Sequence, residues 1–210
     1  MIKTRLFTGN IGKTETWINQ YVSQGFRLER VEGISFRFTE LPEGEKGRQV
    51  KIDWRTFQKK EDFRDYIALF EDCGWKHISG TKASGMQYFE RRDEMAGEDI
   101  FSDTVSKAER YKRLANMWLT SMGIYLPVLF GFYCTGALKM PQFSNWKDFY
   151  YTPGLWEETG MRFWGKFLFE TPFAMGRLLG GGIPFLILVV LYGFFGLKAL
   201  YWYYREKKEI

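Results

Sequence analysis

The chain has 210 residues, with 30 Lys+Arg against 25 Asp+Glu, one His, two Cys and a formal net charge of +5. The single His77 and the isolated Cys73 and Cys134 leave no multi-histidine metal set and no CxxC or zinc-ribbon spacing, so no metal or other cofactor is expected. The slightly negative mean hydropathy averages two unlike halves: 14 aromatics and most of the charges precede residue 98, and both long charge-free runs follow it.

Residues 1–97 read as a duplicated α+β unit. Leu6-Phe7 marks a first strand, punctuated by Gly9 and Asn10. Trp17, Ile18, Tyr21 and Val22 then recur at helical spacing, and Gly25 is placed at the C′ position where a left-handed residue ends a helix. Residues 26–31 and the alternation of Ile34, Phe36 and Phe38 read as two strands turned at Gly33. The order then repeats: a strand at Val50 and Ile52, a helix over 59–73 ended by Gly74, and strands over 75–79 and 86–90. Trp17 matches Tyr66, Ile18 matches Ile67, Tyr21 matches Phe70, Gly25 matches Gly74 and Phe26 matches Trp75, all at an offset of 49. Two βαββ units therefore predict a ferredoxin-like antiparallel sheet with two helices on one face. The matched aromatics read first as core; a pocket for a small ligand or a partner, lined by Trp17, Trp54, Tyr66 and Trp75, is the sharper alternative.

Residues 98–113 read as a juxtamembrane helix or linker. Ser106 and Glu109 fit a capping box, with Asp103 able to cap one turn earlier. A helix from there would run unbroken into the first charge-free stretch, either coupling the N-terminal domain to a membrane or meeting anionic lipid through its lysines. Residues 114–138 form the first expected span, with Pro127 predicting a kink, and residues 178–197 the second. Lys107, Arg110, Lys112 and Arg113 precede the first run, and Lys198, Arg205, Lys207 and Lys208 lie in the basic tail, residues 198–210. The positive-inside rule then places both termini in the cytoplasm, and no cleavable signal is expected.

Residues 139–177 form an aromatic outer loop. Trp156, Phe163, Trp164 and Phe167 share one face of an expected interfacial helix, a surface for lipid or for a partner. Gly176 and Gly180 make a GxxxG suited to close helix packing, and so to a homo-oligomer.

No catalytic constellation emerges. His77 has no sequence-identifiable partner, and Asp53, Glu71, Asp72 and Glu90 lie at element ends where carboxylates cap or pair with cations. No GxxxxGK[ST], GxSxG or HExxH is present, and the Gly9–Thr14 turn lacks the first P-loop glycine. Residues 1–113 carry a net +2 without a basic stripe, so no nucleic-acid partner is expected.

One run of motifs resembles a family. Tyr66-Ile67 with Phe70-Glu71-Asp72 and Gly74-Trp75, then Tyr88-Phe89, then Phe101-Ser102-Asp103 with Ser106-Lys107, resemble the DUF2812 proteins, a bacterial family of unknown function. Gly25-Phe26, Phe36 and Phe38 also fit, and the resemblance covers about residues 1–113. It implies a cytoplasmic domain followed by membrane helices, in Firmicute-like bacteria, from genes often beside PadR-like transcriptional regulators. It brings no assigned catalytic residues and does not extend to the aromatic loop.

The resulting expectation is a non-enzymatic integral membrane adaptor, regulatory or sensing, that binds a protein partner through its cytoplasmic domain. The alternatives are an accessory subunit of a membrane transporter, with the aromatic loop and glycine-rich span against a larger permease, and a small-molecule or lipid-binding module.

Overall fold

The computed structural model describes residues 1–92, 96–136, 143–179 and 183–208. The chain divides into two compact units, Met1–Met117 with Phe195–Ile210, and Trp118–Phe194.

In the first unit the elements follow in the order β1 (Ile2–Thr4), α1 (Ile11–Val22), β2 (Phe26–Glu32), β3 (Ser35–Glu40), β4 (Val50–Trp54), α2 (Lys60–Asp72), β5 (Trp75–Ser79) and β6 (Met86–Arg91). They form two three-stranded antiparallel sheets, β1-β3-β2 and β4-β6-β5, in place of the single sheet expected. The reason lies where β2 meets β5. Ser79 Oγ accepts the Val31 N–H and donates to the Val31 carbonyl, both at 3.1 Å, so a side chain stands where a ladder would run. Both strands also carry a register shift there, between Leu28 and Arg30 and between His77 and Ser79.

Local signals end the helices much as read. Asn10 caps α1 by accepting the Lys13 N–H, and Gly74, with φ of 82°, follows the C-cap Cys73 of α2. Gly25 is also left-handed (φ 87°) but lies one residue later, because the C-cap of α1 is Ser23.

The two helices do not share a face. Trp17 and Tyr21 of α1 pack on Phe36 and Phe38 of β3, and Phe36 in turn meets Tyr88 of β6. Tyr66 and Phe70 of α2 pack on Phe89 of β6. Neighbouring strand residues point to opposite faces, so Tyr88 belongs to the α1 side and Phe89 to the α2 side. The α2 side closes around Tyr66, Trp75, Phe89 and Ala96, with Phe57, Phe63, Ile67, Phe70 and Ile100 packed against them.

A third helix, α3 (Thr104–Cys134), completes this unit with its first turns, where Ala108, Tyr111, Leu114 and Ala115 are buried. Asp103 supplies the cap, its carboxylate accepting the Ser106 N–H at 2.7 Å. Ser106 therefore lies inside the helix instead of opening it, contrary to the capping box. Leu114 and Ala115 pack in this domain, so the start of the expected 114–138 span is core. The expected tail from residue 198 is likewise structured: α5 (Ile183–Lys208) continues through it, with Ala199 and Tyr203 buried and the Lys198 stem against Gly9.

The second unit holds the remainder of α3, two 3-10 turns (Phe143–Phe149 and Leu155–Glu157), α4 (Gly160–Leu179) and the beginning of α5. Residues 178 and 179, expected to open the second span, belong to α4. Tyr192 of α5 stacks on Tyr125 of α3 and lies against Trp118. Two helices, Thr104–Cys134 and Pro184–Lys208, are long and apolar enough to cross a membrane.

Candidate functional site

The most elaborate polar arrangement lies along the outer edge of β4. An antiparallel strand directs alternate residues toward its neighbour. Backbone bonds from Arg91 N–H to Gln49 O and from Arg55 N–H to Gly85 O fix the odd-numbered residues as those bonding β6. Val50, Ile52 and Trp54 therefore turn their N–H and C=O groups outward, and an edge of this kind normally invites another strand.

Here side chains take all six groups. Asn19 of α1 is bonded to both of Val50: it donates to the carbonyl and accepts the N–H, each at 2.8 Å. Glu15, one helical turn earlier, accepts the Ile52 N–H at 2.9 Å. Arg110 of α3 donates through Nη1 to the Ile52 carbonyl at 2.8 Å and to Glu15 Oε1 at 2.6 Å. Arg113, three residues on, donates through Nε to the Trp54 carbonyl at 2.8 Å and through Nη2 to Asp53 Oδ1 at 2.6 Å. Asp53 Oδ1 accepts the Trp54 N–H, and its Oδ2 accepts from the Tyr66 hydroxyl of α2 at 2.9 Å. Helical spacing brings Glu15 and Asn19 to one face of α1, and Arg110 and Arg113 to one face of α3. A buried backbone polar group left unpaired costs about 1–3 kcal/mol, so this set holds α1, α2 and α3 to a single strand.

A second ring of contacts fixes α3 further. The Tyr111 hydroxyl accepts the Gly12 N–H at 3.0 Å and donates to Asn10 Oδ1, the group that caps α1. Asp99 binds Lys107 of α3 at 2.9 Å and Lys51 of β4 at 3.3 Å. Burial works against the Asp99 carboxylate, but the two ammonium groups prevail and hold it below the usual carboxylate range. Burial, with the adjacent Asp53 charge, pushes the Tyr66 phenol far above its ordinary value, so it donates and does not ionise. Arg110 is fully buried between the rings of Phe101 and Tyr111, and among the described residues its Nε and Nη2 have no hydrogen-bond partner. The arrangement restrains position; its chemistry is charge pairing around a strand edge.

The residues proposed from sequence for a pocket are separated. Tyr66 and Trp75 fill the α2-side core, while Trp17 packs with Tyr21, Phe36 and Phe38 under the Arg5 guanidinium. Trp54 is buried at the end of β4, with Gly85 so close that a Cβ there would fall 2.7 Å from its indole nitrogen. The four do not line one cavity. His77 donates from Nε2 to Gln87 Oε1 at 3.0 Å; the Gln87 amide is oriented by its donation to the Thr81 and Arg55 carbonyls. Burial, partly countered by Gln87, lowers the His77 pKa. Glu90 pairs bidentately with Arg27, and among the described residues no three His, Cys, Asp or Glu converge on a metal site.

In the second unit Trp156 lies on the 3-10 turn, not on the helix that carries Phe163, Trp164 and Phe167, because Gly160 (φ 63°) opens α4. Its ring nevertheless meets Phe163, Phe167, Tyr150 and Trp146. Phe163 and Phe167 are thus turned inward, with Tyr150 stacked on Phe167, whereas Trp164 is exposed. Of the glycine pair, Gly176 lies on α4 and Gly180 falls outside the described residues.

Sequence reasoning did not single out Glu15 or Asn19, took Asn10 only as a break after the first strand, and read Arg110 and Arg113 only as basic residues flanking the first span. The available signal was Ala108, Tyr111, Leu114 and Ala115, an apolar face at helical spacing that marks this part of the helix as packed against protein.

No curated protein and no solved structure matches the chain. One family model, described as a protein of unknown function (DUF2812), matches residues 10–122, which takes in every side chain that binds the β4 edge. The match covers more than half of the chain, which therefore belongs to the DUF2812 family.

Proposed function

We propose that this protein is a two-pass regulatory or sensing adaptor of a bacterial inner membrane, with both termini cytoplasmic. Its N-terminal domain binds a protein partner, and α3 carries the domain's state into the bilayer. We read the domain as one βαββ unit duplicated, since the order β-α-β-β and the strand arrangement recur in both halves.

The observation that carries the proposal is the continuity of α3. One unbroken helix bears Arg110 and Arg113 on the β4 edge and continues through Cys134 as a candidate membrane span. A helix anchored by several buried polar bonds cannot rotate or slide without breaking them, so a change at β4 or α1 reaches the span as a displacement and not as slack. A simple tether would need none of these bonds. The basic residues flanking both spans support the orientation.

The test is recovery of the intact protein from its native membrane in mild detergent. A stoichiometric partner, lost in an Arg110→Met/Arg113→Met variant that still inserts, supports the adaptor. Recovery of no partner, together with unchanged transcription on deletion of the gene, refutes it.

A further inference from the structure

The sequence places the aromatic face of the outer loop on Phe163, Trp164 and Phe167, but the structure spends Phe163 and Phe167 inside the loop's own aromatic cluster. The opposite side of α4 is left uncovered. Met161, Trp164, Leu168, Phe169, Phe173 and Met175 are all exposed, Met161 by 87%. At 100° per residue most of these form one broad stripe directly across the helix from buried Glu170 and Ala174. The charged residues of the same stretch avoid the centre of that stripe. Lys166 pairs with Glu158 at 2.6 Å on the flank, and Glu170 is turned in, accepting from Thr152 Oγ1 at 2.6 Å and from the Tyr151 N–H at 3.2 Å.

We propose that this face of α4 lies in lipid, at the boundary between headgroups and acyl chains, making α4 a third membrane-embedded element parallel to the surface. Chain continuity selects lipid over another occupant. α4 ends at Leu179 and α5 starts at Ile183, so the end of α4 lies within about 14 Å of the start of a candidate span. A helix tethered that closely to a span, with a stripe about 22 Å long from Met161 to Met175, meets the bilayer interface before any soluble partner. Arg162, at the stripe's edge, has a stem long enough to stay among acyl chains while its charged end reaches the headgroups, and Lys166 is neutralised by Glu158. The proposal rests on the reading that α3 and α5 cross the bilayer.

The experiment uses the full chain, with Cys73→Ser and Cys134→Ser, in phosphatidylcholine–phosphatidylglycerol vesicles. Nitroxide side chains are introduced singly at Met161, Arg162, Trp164, Lys166, Leu168 and Phe169, and at Val128 of α3 and Val190 of α5. Collisional accessibility to oxygen and to a water-soluble nickel chelate is then compared. Oxygen exceeds nickel at 161, 164 and 168 and the ratio inverts at 166, giving a helical period, while 162 and 169, about 20° apart at the stripe's edge, read alike. High nickel accessibility around the whole helix overturns the proposal. So does low accessibility to both reagents along the stripe, which assigns the face to a second copy or another protein. Labels at 128 and 190 separate the two readings: if they too are nickel-accessible, the spans are wrong; if they prefer oxygen, only the placement of α4 is.

Discussion

Replacing Arg110 by Met tests whether the β4 edge is what holds α3. The substitution keeps most of the side-chain volume but removes the donor to both Glu15 and the Ile52 carbonyl, leaving a carboxylate that is 7% exposed without its counter-charge. Breaking a buried pair by removing one partner costs about 3–5 kcal/mol, and every 1.4 kcal/mol is about a factor of ten in the opening equilibrium. Amide exchange of Ile52, whose N–H is held by Glu15, should therefore accelerate by roughly two to three powers of ten. The amides of Lys51 and Asp53, which face β6, should change much less. Exchange of the detergent-solubilised chain, followed by fragmentation mass spectrometry, resolves these neighbours. Arg110→Lys adds a sharper test. Both bonds of Arg110 leave from Nη1 while Nε and Nη2 are unpaired, so a single ammonium retains more than half of the protection. Unchanged Ile52 exchange in Arg110→Met, or a Lys variant as exposed as the Met variant, would refute the edge-capping argument.

Other outcomes follow from the same geometry. His77 has a folded pKa below its ordinary value, so the unfolded chain takes up a proton first; stability is full above about pH 6.5 and declines as pH falls through the folded pKa. Denaturant midpoints measured from pH 7.5 to 5 should show that decline, and His77→Asn should flatten it. Gly80 has φ of 127°, and an added Cβ would lie 2.2 Å from Gln87 Oε1, whereas Gly44, at φ 93°, has open space around it. Both Gly→Ala variants incur about 1–2 kcal/mol of backbone strain, so Gly80→Ala should lower the midpoint clearly further. For the orientation, with the native cysteines replaced, an impermeant thiol reagent should label Lys147→Cys on intact cells and Glu43→Cys only after lysis. The opposite pattern would reverse the compartments and any partner inferred from them.

Much of the local structure was legible because it is written in short-range physics. Gly74 ends α2 because only a residue without a side chain takes a left-handed turn cheaply, and the spacing of Trp17, Ile18, Tyr21 and Val22 marks the packed side of α1, with Ile18 and Val22 buried and the two aromatic rings half-buried. The charge-free runs announced two helices long enough for a membrane by length alone. The shared face for both helices was not legible, since an alternating strand states which residues oppose each other but not which helix covers which side. The aromatic loop failed for a related reason: a period computed across Trp156 assumes an unbroken helix, and Gly160 interrupts it.

What the sequence determined by itself is therefore the composition of each element and the places where the chain can cross lipid. What only tertiary structure decided is the meaning of the basic residues before the first span. Arg110 and Arg113 have the composition of a headgroup-facing cluster, yet they close a strand edge formed 60 residues or so earlier, and Glu15 comes to Arg110 across 95 positions of chain. Nothing local encodes that encounter. Charge and spacing describe what a side chain can bind, while the partner it finds depends on which buried backbone groups the finished fold leaves unpaired.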